Sequence, residues 1–269
     1  GGAVRRCDQE TGSVAVFPVQ SGGKLAEASS IQQDEGPAGA AKPVAAVEGS
    51  FAISDHNGPH AHMIASSPSG KFVFSTDLGL DRIYQYCFDA ANGKLIPNSP
   101  PFISASSAGA GPRHFVFHPN GKTLFLINEE ASTLTSYQLD TEKGTLKQLH
   151  TLSSLPADYR GTNFAAGLTL SKDGKFLYVA NRLHNSIGQF AVTADGEFKP
   201  VEEVWTRGDY PRTLVLDPTG YYLYALNQRS DNITRFKVSP QSGKLTFVPG
   251  YTAVGSPSQM VFVPPAPEK

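Results

Sequence analysis

Three arginines, a histidine and a carboxylate occupy matched places in this chain. His62, Arg113 and Arg212 each lie eight residues before a glycine, at Gly70, Gly121 and Gly220. Glu129 and Arg182 each follow an asparagine that stands seven residues after such a glycine. Arginine forks bind carboxylate or phosphate through two parallel hydrogen bonds, so the set suits a small anion. Glu129 or His62 could take a proton from water while an arginine stabilises a developing oxyanion. With no nucleophile elbow of the G-x-S-x-G kind in the sequence, water attack on an activated ester is favoured over an acyl-enzyme. Proton abstraction beside a carbonyl would use the same groups. His60 and His62 in "PHAH" fall on one side of an extended segment, a spacing that could hold a metal. Glu129 is the only recurrent third ligand, so neither a metal nor a cofactor is expected.

The glycines belong to a repeat. Pro68-Ser-Gly70, Pro119-Asn-Gly121, Lys172-Asp-Gly174 and Pro218-Thr-Gly220 lead into "KFVFSTD", "KTLFLIN", "KFLYVAN" and "YYLYALN". Each apolar run ends in Asp77, Asn128, Asn181 or Asn227, and each repeat then passes a second glycine turn at 93–95, 144–146, 196–198 and 243–245. The first-turn glycines are 51, 53 and 46 residues apart. A period of this size with several short strands per unit predicts an all-β chain, a β-propeller of four-stranded antiparallel blades. A β-solenoid ordinarily has a shorter period. Half a repeat opens the chain (Val14 to Phe17, then "GGKL") and "PSQMVFV" at 257–263 matches a first strand. About five blades of a probable seven are therefore expected, as a single partial propeller domain over 1–269 with two N-terminal blades missing. "GGAVRRCDQETG" reads poorly as strand. Residues 26–58, rich in Ala, Gly and Pro, read as a long exposed loop insertion.

In a four-stranded meander the start of strand one and the end of strand two are neighbours at one rim. His62, Arg113, Arg212, Glu129 and Arg182 should therefore converge on one channel mouth. The plainer reading of Arg113, Glu129 and Arg182 is a set of salt bridges between blades. Asp77, Asn128, Asn181 and Asn227 read first as turn formers. Glu130 reads as a solvated loop acid and His118 as structural, while His56, His150 and His184 read as surface residues.

Composition narrows the class. The chain has 269 residues, 39% of them hydrophobic, and a formal net charge of −1. That balance argues against nucleic acid or an anionic membrane as partner, and no apolar run approaches the roughly 20 residues of a membrane helix. Cys7 and Cys87 are too few for a disulfide framework or a cysteine zinc site, leaving at most one bridge.

"GPHAH" (58–62), "DLGLDRI" (77–83), "GAGPRHFVFHPNGK" (109–122), "INEEASTL" (127–134), "LYVANR" (177–182) and "YPRTLVLDPTG" (210–220) together resemble the lactonase family of seven-bladed propellers. That family includes the bacterial 6-phosphogluconolactonase and fungal carboxy-muconate lactonising types. The resemblance implies His62, Arg113, Glu129 and Arg182 as the catalytic set, with His60, His114, Asn128, Asn181 and Arg212 as substrate-binding candidates. It departs at Gly167, where relatives often carry an acid, and at Thr213, where they carry Asn. It implies a monomeric hydrolase of a sugar-acid lactone, 6-phosphogluconolactone first, with cycloisomerisation of a muconate as the alternative. A cytoplasmic place in pentose-phosphate metabolism is expected, or a periplasmic one if an export signal is missing. A non-enzymatic binding propeller is the rival from another class, since "LYVAN" also resembles scaffold repeats.

Overall fold

Runs of β-branched and aromatic residues closed by Gly turns favour antiparallel hairpins. The computed structural model, which describes residues 2–48 and 57–263, is built from them. Among the described residues five antiparallel sheets follow one another. The first has three strands, β1 (Ala3–Asp8), β2 (Ser13–Pro18) and β3 (Ser30–Gln33). The second is β4 (Ala61–Ser66), β5 (Phe72–Asp77), β6 (Arg82–Asp89) and β7 (Lys94–Ser104). The third is β8 (Pro112–Phe117), β9 (Thr123–Asn128), β10 (Thr133–Asp140) and β11 (Thr145–Ser153). The fourth is β12 (Ala165–Leu170), β13 (Phe176–Asn181), β14 (Ser186–Val192) and β15 (Phe198–Trp205). The fifth is β16 (Pro211–Leu216), β17 (Tyr222–Asn227), β18 (Asn232–Val238) and β19 (Leu245–Ala253). The four complete sheets are the up-and-down meanders of propeller blades.

Burial explains the composition of the strands. Every residue of β5 and β9 is buried, which is why "FVFSTD" and "TLFLIN" show no clean polar alternation. The outermost strands of the same sheets, β7 and β11, are largely exposed and carry Lys, Asn, Gln and Pro.

The chain forms two compact units. One holds the described residues up to Ala165 with Thr193–Glu197; the other holds Ala166–Val192 and the described residues from Phe198 on. In the first, Phe74, Ile83, Phe115, Leu124, Leu126 and Tyr137 make one core between the second and third sheets. In the second, Tyr178, Ile187, Leu214, Leu223 and Phe236 do the same for the fourth and fifth.

Two devices recur in the packing. Gly144 and Gly243, both in left-handed conformation, close the second turns of their sheets against the preceding one. A Cβ on Gly144 would lie on the Phe72 ring, and one on Gly243 on the Phe176 ring. Buried Gln85 on β6 accepts a hydrogen bond from Leu146 N–H on β11 at 2.7 Å. Gln189 on β14 accepts one from Leu245 N–H on β19 at 3.0 Å. Each glutamine thereby ties its sheet to the next within a unit.

Several expectations are corrected. The opening segment forms β1, paired along its length with β2, because Val4 and Arg6 alternate with less exposed neighbours and the Arg5 guanidinium lies 4.4 Å over the Phe88 ring. The 26–58 stretch is not simply a loop. Ser30–Gln33 pairs with β2 as β3, and Asp34 after it is buried; residues 49–56, His56 among them, lie outside the described residues. Residues 257–263 form no strand. Instead Ser258 C=O accepts a hydrogen bond from Thr213 Oγ1 at 2.8 Å, and Phe262 packs on Tyr224. Cys7 and Cys87 are both free thiols.

Candidate active site

The candidate residues enter their strands in an unusual way. His62, Arg113 and Arg212 each sit at a register break at the start of a first strand. Ala61 pairs with Asp77 but Met63 with Thr76. Pro112 pairs with Asn128 but His114 with Ile127. Pro211 pairs with Asn227 but Thr213 with Leu226. Each is the extra residue of a β-bulge, which re-aims a side chain that a regular pleat would direct elsewhere. The bulge also breaks the two-residue period behind the idea that His60 and His62 act from one side. The His60 ring meets Gln9 C=O at 3.0 Å and Asn57 Oδ1 at 2.8 Å, whereas the His62 ring packs edge-on against His114.

In the first unit the bulges assemble a charged cluster. Arg113 Nε donates to Glu129 Oε2 at 2.6 Å, and the two residues are only 1% and 8% exposed. Arg113 Nη1 lies 3.2 Å from His114 Nδ1, and the His114 and His62 ring centroids are 4.9 Å apart at 68°. The backbone holds each member in place. Thr76 Oγ1 donates to Arg113 C=O at 2.7 Å, taking up the carbonyl at the bulge. Glu129 N–H donates to Gly111 C=O at 2.7 Å, and Glu129 C=O accepts from Ala165 N–H at 3.0 Å. Four of the expected residues, His62, Arg113, His114 and Glu129, thus come together in this unit.

Asn128 is in the same unit but wholly buried. Its amide donates to Thr133 Oγ1 at 3.0 Å, to Thr135 Oγ1 at 3.1 Å and to Ser106 Oγ at 3.2 Å, the work of a turn former. Asp77 behaves alike, accepting from His60 N–H at 3.0 Å and Leu80 N–H at 2.8 Å. Glu130, expected in solvent, is 1% exposed and lies against Gly111, because the turn after β9 folds back under the loop that leads into β8.

The second unit carries Arg182, Asn181 and Arg212. Asn181 is buried and bonds Ser186 Oγ at 3.3 Å. Arg182 is 4% exposed, with its guanidinium 5.1 Å from the Tyr210 ring centroid. Arg212 is half-buried at its bulge. Gly167, where the resemblance has an acid, faces the β16 backbone. A Cβ there would lie 3.0 Å from Thr213 Cα and 3.1 Å from Arg212 C=O, so this chain has traded a side chain for close strand approach. His184, expected at the surface, is half-buried, with Nδ1 2.6 Å from Glu203 Oε1.

Sequence reasoning passed over Asp34. It is buried beside Asp77, and burial, with the neighbouring Asp77 carboxylate and against the pull of Arg82, raises its pKa to about 8. Its only signal was an acid within a stretch otherwise read as exposed. Among the described residues no group of three or more His, Cys, Asp and Glu side chains is arranged to hold a metal ion. None of their helices is long and apolar enough to cross a membrane.

Bulged first strands, Gly-turn meanders and the Arg–Glu–His cluster define a class. Residues 6–262 match the family model described as lactonase, 7-bladed beta-propeller, and the chain belongs to that family. A 6-phosphogluconolactonase of Bacillus subtilis (strain 168) is 31% identical over 261 residues, covering 97% of this chain and 70% of its own. One from Yersinia pestis (strain Pestoides F) is 30% identical over 199 residues, covering 74% of this chain and 58% of its own. The crystal structure of a periplasmic gluconolactonase of Pseudomonas aeruginosa superposes with a TM-score of 0.81 at 33% identity, covering 94% of this chain and 66% of that one. The chain therefore spans between 58% and 70% of the length of these relatives.

Proposed function

We propose that this protein hydrolyses a sugar-acid lactone, 6-phosphogluconolactone to 6-phosphogluconate, by direct attack of water. The observation that carries the reading is the buried Arg113–Glu129 pair with the His114 and His62 rings packed beside it. Glu129 takes a proton as the water oxygen bonds to the lactone carbonyl carbon, and Arg113 stabilises the charge that gathers on the carbonyl oxygen. The ring C–O bond then breaks, and the proton passes to the departing ring oxygen, leaving a hydroxy acid. His62 stands next to this pair through His114 and is the alternative base. In the second unit, Arg182 and Arg212 are the candidate anion-binding groups by their register in the repeat. Asn128 and Asn181, spent on their own turns, position the residues that follow them, and His60 supports the loop before β4.

The names of the relatives support this substrate, and no metal or organic cofactor is called for. A phosphorylated substrate is a dianion that a bilayer retains, which favours the cytoplasm, with a monomer as the working form. The test is acid release from δ-lactones of gluconate and 6-phosphogluconate, with Glu129→Gln and Arg113→Ala alongside. Turnover at the unsubstituted protein's rate in both variants removes the proposed site, and turnover of a muconate diacid in place of either lactone selects the cycloisomerase reading.

A further inference from the structure

The bulge that turns Arg113 toward Glu129 needs something to hold it. A bulge residue is left out of the ladder, so its carbonyl, when buried, requires a partner from elsewhere. Thr76 supplies one: its Oγ1 donates to Arg113 C=O at 2.7 Å from β5, in the preceding sheet. Both residues are buried.

Thr76 has a second tie to the cluster. Its pairing partner on β4 is Met63, the first residue after the bulge at His62. Met63 Sδ in turn accepts Phe115 N–H at 3.2 Å. The cross-strand pair Met63–Thr76 therefore grips β8 at residues 113 and 115, on either side of His114. One rung of the second sheet thus sets where the His62 bulge stands against the His114 ring, 4.9 Å away between centroids. The same rung fixes the backbone of Arg113, whose Nη1 lies 3.2 Å from His114 Nδ1.

The repeat shows that the fold does not require a hydroxyl here. Six residues after each first-turn glycine stand Thr76, Ile127, Ala180 and Leu226, all fully buried. Three of the four are apolar and fill the same place in complete sheets. In the second unit Ala180 has no donor to offer, and the bulged Arg212 that follows it is only half-buried. Threonine stands before the sheet whose bulged arginine is buried with a carboxylate. A polar side chain in an otherwise apolar place, spent on one backbone carbonyl, points to the geometry of that carbonyl rather than to the core.

We propose that Thr76 is a positioning residue for the hydrolysis: its hydroxyl pins the Arg113 bulge so that the guanidinium meets both Glu129 and the charge developing on the substrate. The inference rests on the lactonase reading and adds to it a residue that touches no substrate. A misplacement of about 1 Å in such a group costs about 10²-fold in rate.

The experiment compares Thr76→Val, Thr76→Cys and Thr76→Ser, with Gln85→Ala as the control. Gln85→Ala also removes a buried hydrogen bond between the second and third sheets, but one made to β11. Rates are read well below each melting temperature. In Thr76→Val, kcat for 6-phosphogluconolactone should fall about 10–10²-fold with KM little altered. Thr76→Cys, with a weakly donating thiol, should fall less. Thr76→Ser, which keeps the donor, should keep the unsubstituted kcat, as should Gln85→Ala. A second readout needs no substrate. The NMR resonance of Arg113 Nε–H, moved downfield by the short bond to Glu129, should shift in Thr76→Val and Thr76→Cys and hold in the other two variants. If the unsubstituted protein hydrolyses no lactone, the lactonase reading fails while this resonance still decides the positioning role. The proposal is overturned by an unchanged kcat and resonance in Thr76→Val, or in Thr76→Cys should Thr76→Val not fold. An equal loss in Gln85→Ala, or failure of Thr76→Ser to keep both readouts, overturns it as well.

Discussion

Arg113 and Glu129, sixteen residues apart in the chain, form a 2.6 Å ion pair almost wholly shielded from water. The pairing of Pro112 with Asn128 brings them side by side, and the bulge at Arg113 aims the guanidinium at the carboxylate. A desolvated pair of this kind adds little to stability relative to an apolar pair, but removing one partner strands the other. Arg113→Ala should cost about 3–5 kcal/mol, and Arg113→Met combined with Glu129→Leu should regain most of it. Urea unfolding of Arg113→Met, Glu129→Leu and the variant that combines them measures the coupling; additive losses would show that the pair is not interacting as described.

The chemistry of the pair is tested separately from its stability. Glu129→Gln keeps the shape and one acceptor oxygen but cannot hold a proton from water. Its kcat on the lactone should fall about 10²–10⁴-fold with KM little altered, whereas a loss confined to KM would make Glu129 a binding group.

Asp34 gives the protein a pH-dependent stability. Its pKa is raised from 3.8 to about 8, chiefly by burial and further by Asp77, so the folded protein keeps a proton that the unfolded chain releases. Stability from this group is full below about pH 4 and declines as pH rises toward 8. Asp34→Asn keeps the shape without the ionisation. Its melting temperature should match that of the unsubstituted protein at about pH 4 and exceed it by a margin that grows to several degrees near pH 9. Parallel melting curves across this range would mean that Asp34 titrates alike in both states.

The buried glutamines offer an internal comparison. Gln85 makes two bonds, accepting from Leu146 N–H and donating to Pro100 C=O at 3.0 Å, while Gln189 accepts from Leu245 N–H. Gln85→Ala leaves a buried N–H and a carbonyl without their partner and should cost about 1–3 kcal/mol, more than Gln189→Ala. Equal or negligible losses in denaturant melts would remove these residues from the set that joins the sheets.

Much of the architecture is legible in the chain because its causes are local. Apolar runs, Pro-x-Gly turns and the Asp or Asn that closes each second strand recur at common offsets, and each hairpin they specify is present. β1 escaped notice because its two arginines disguise an alternating pattern: Arg5 lays its guanidinium over the Phe88 ring while Arg6 is exposed. β3 was hidden in a segment rich in Ala, Gly and Pro because four residues are too few to show a period. The 257–263 segment errs the other way: "MVFV" has strand composition, but pairing needs a second edge that composition does not supply.

The sequence by itself determined the repeat, the antiparallel blades and the matched strand-end places of His62, Arg113, Glu129, Arg182 and Arg212, since these follow from spacing and strand direction. Tertiary structure alone decided that three of the five are bulge residues, that Glu129 and Glu130 are both buried, and that Asp34 meets Asp77. It also decided that Thr76 bonds the Arg113 carbonyl. Those features depend on which surfaces exclude water and which hydrogen bonds over-determine a loop, and both are set by residues distant in the chain.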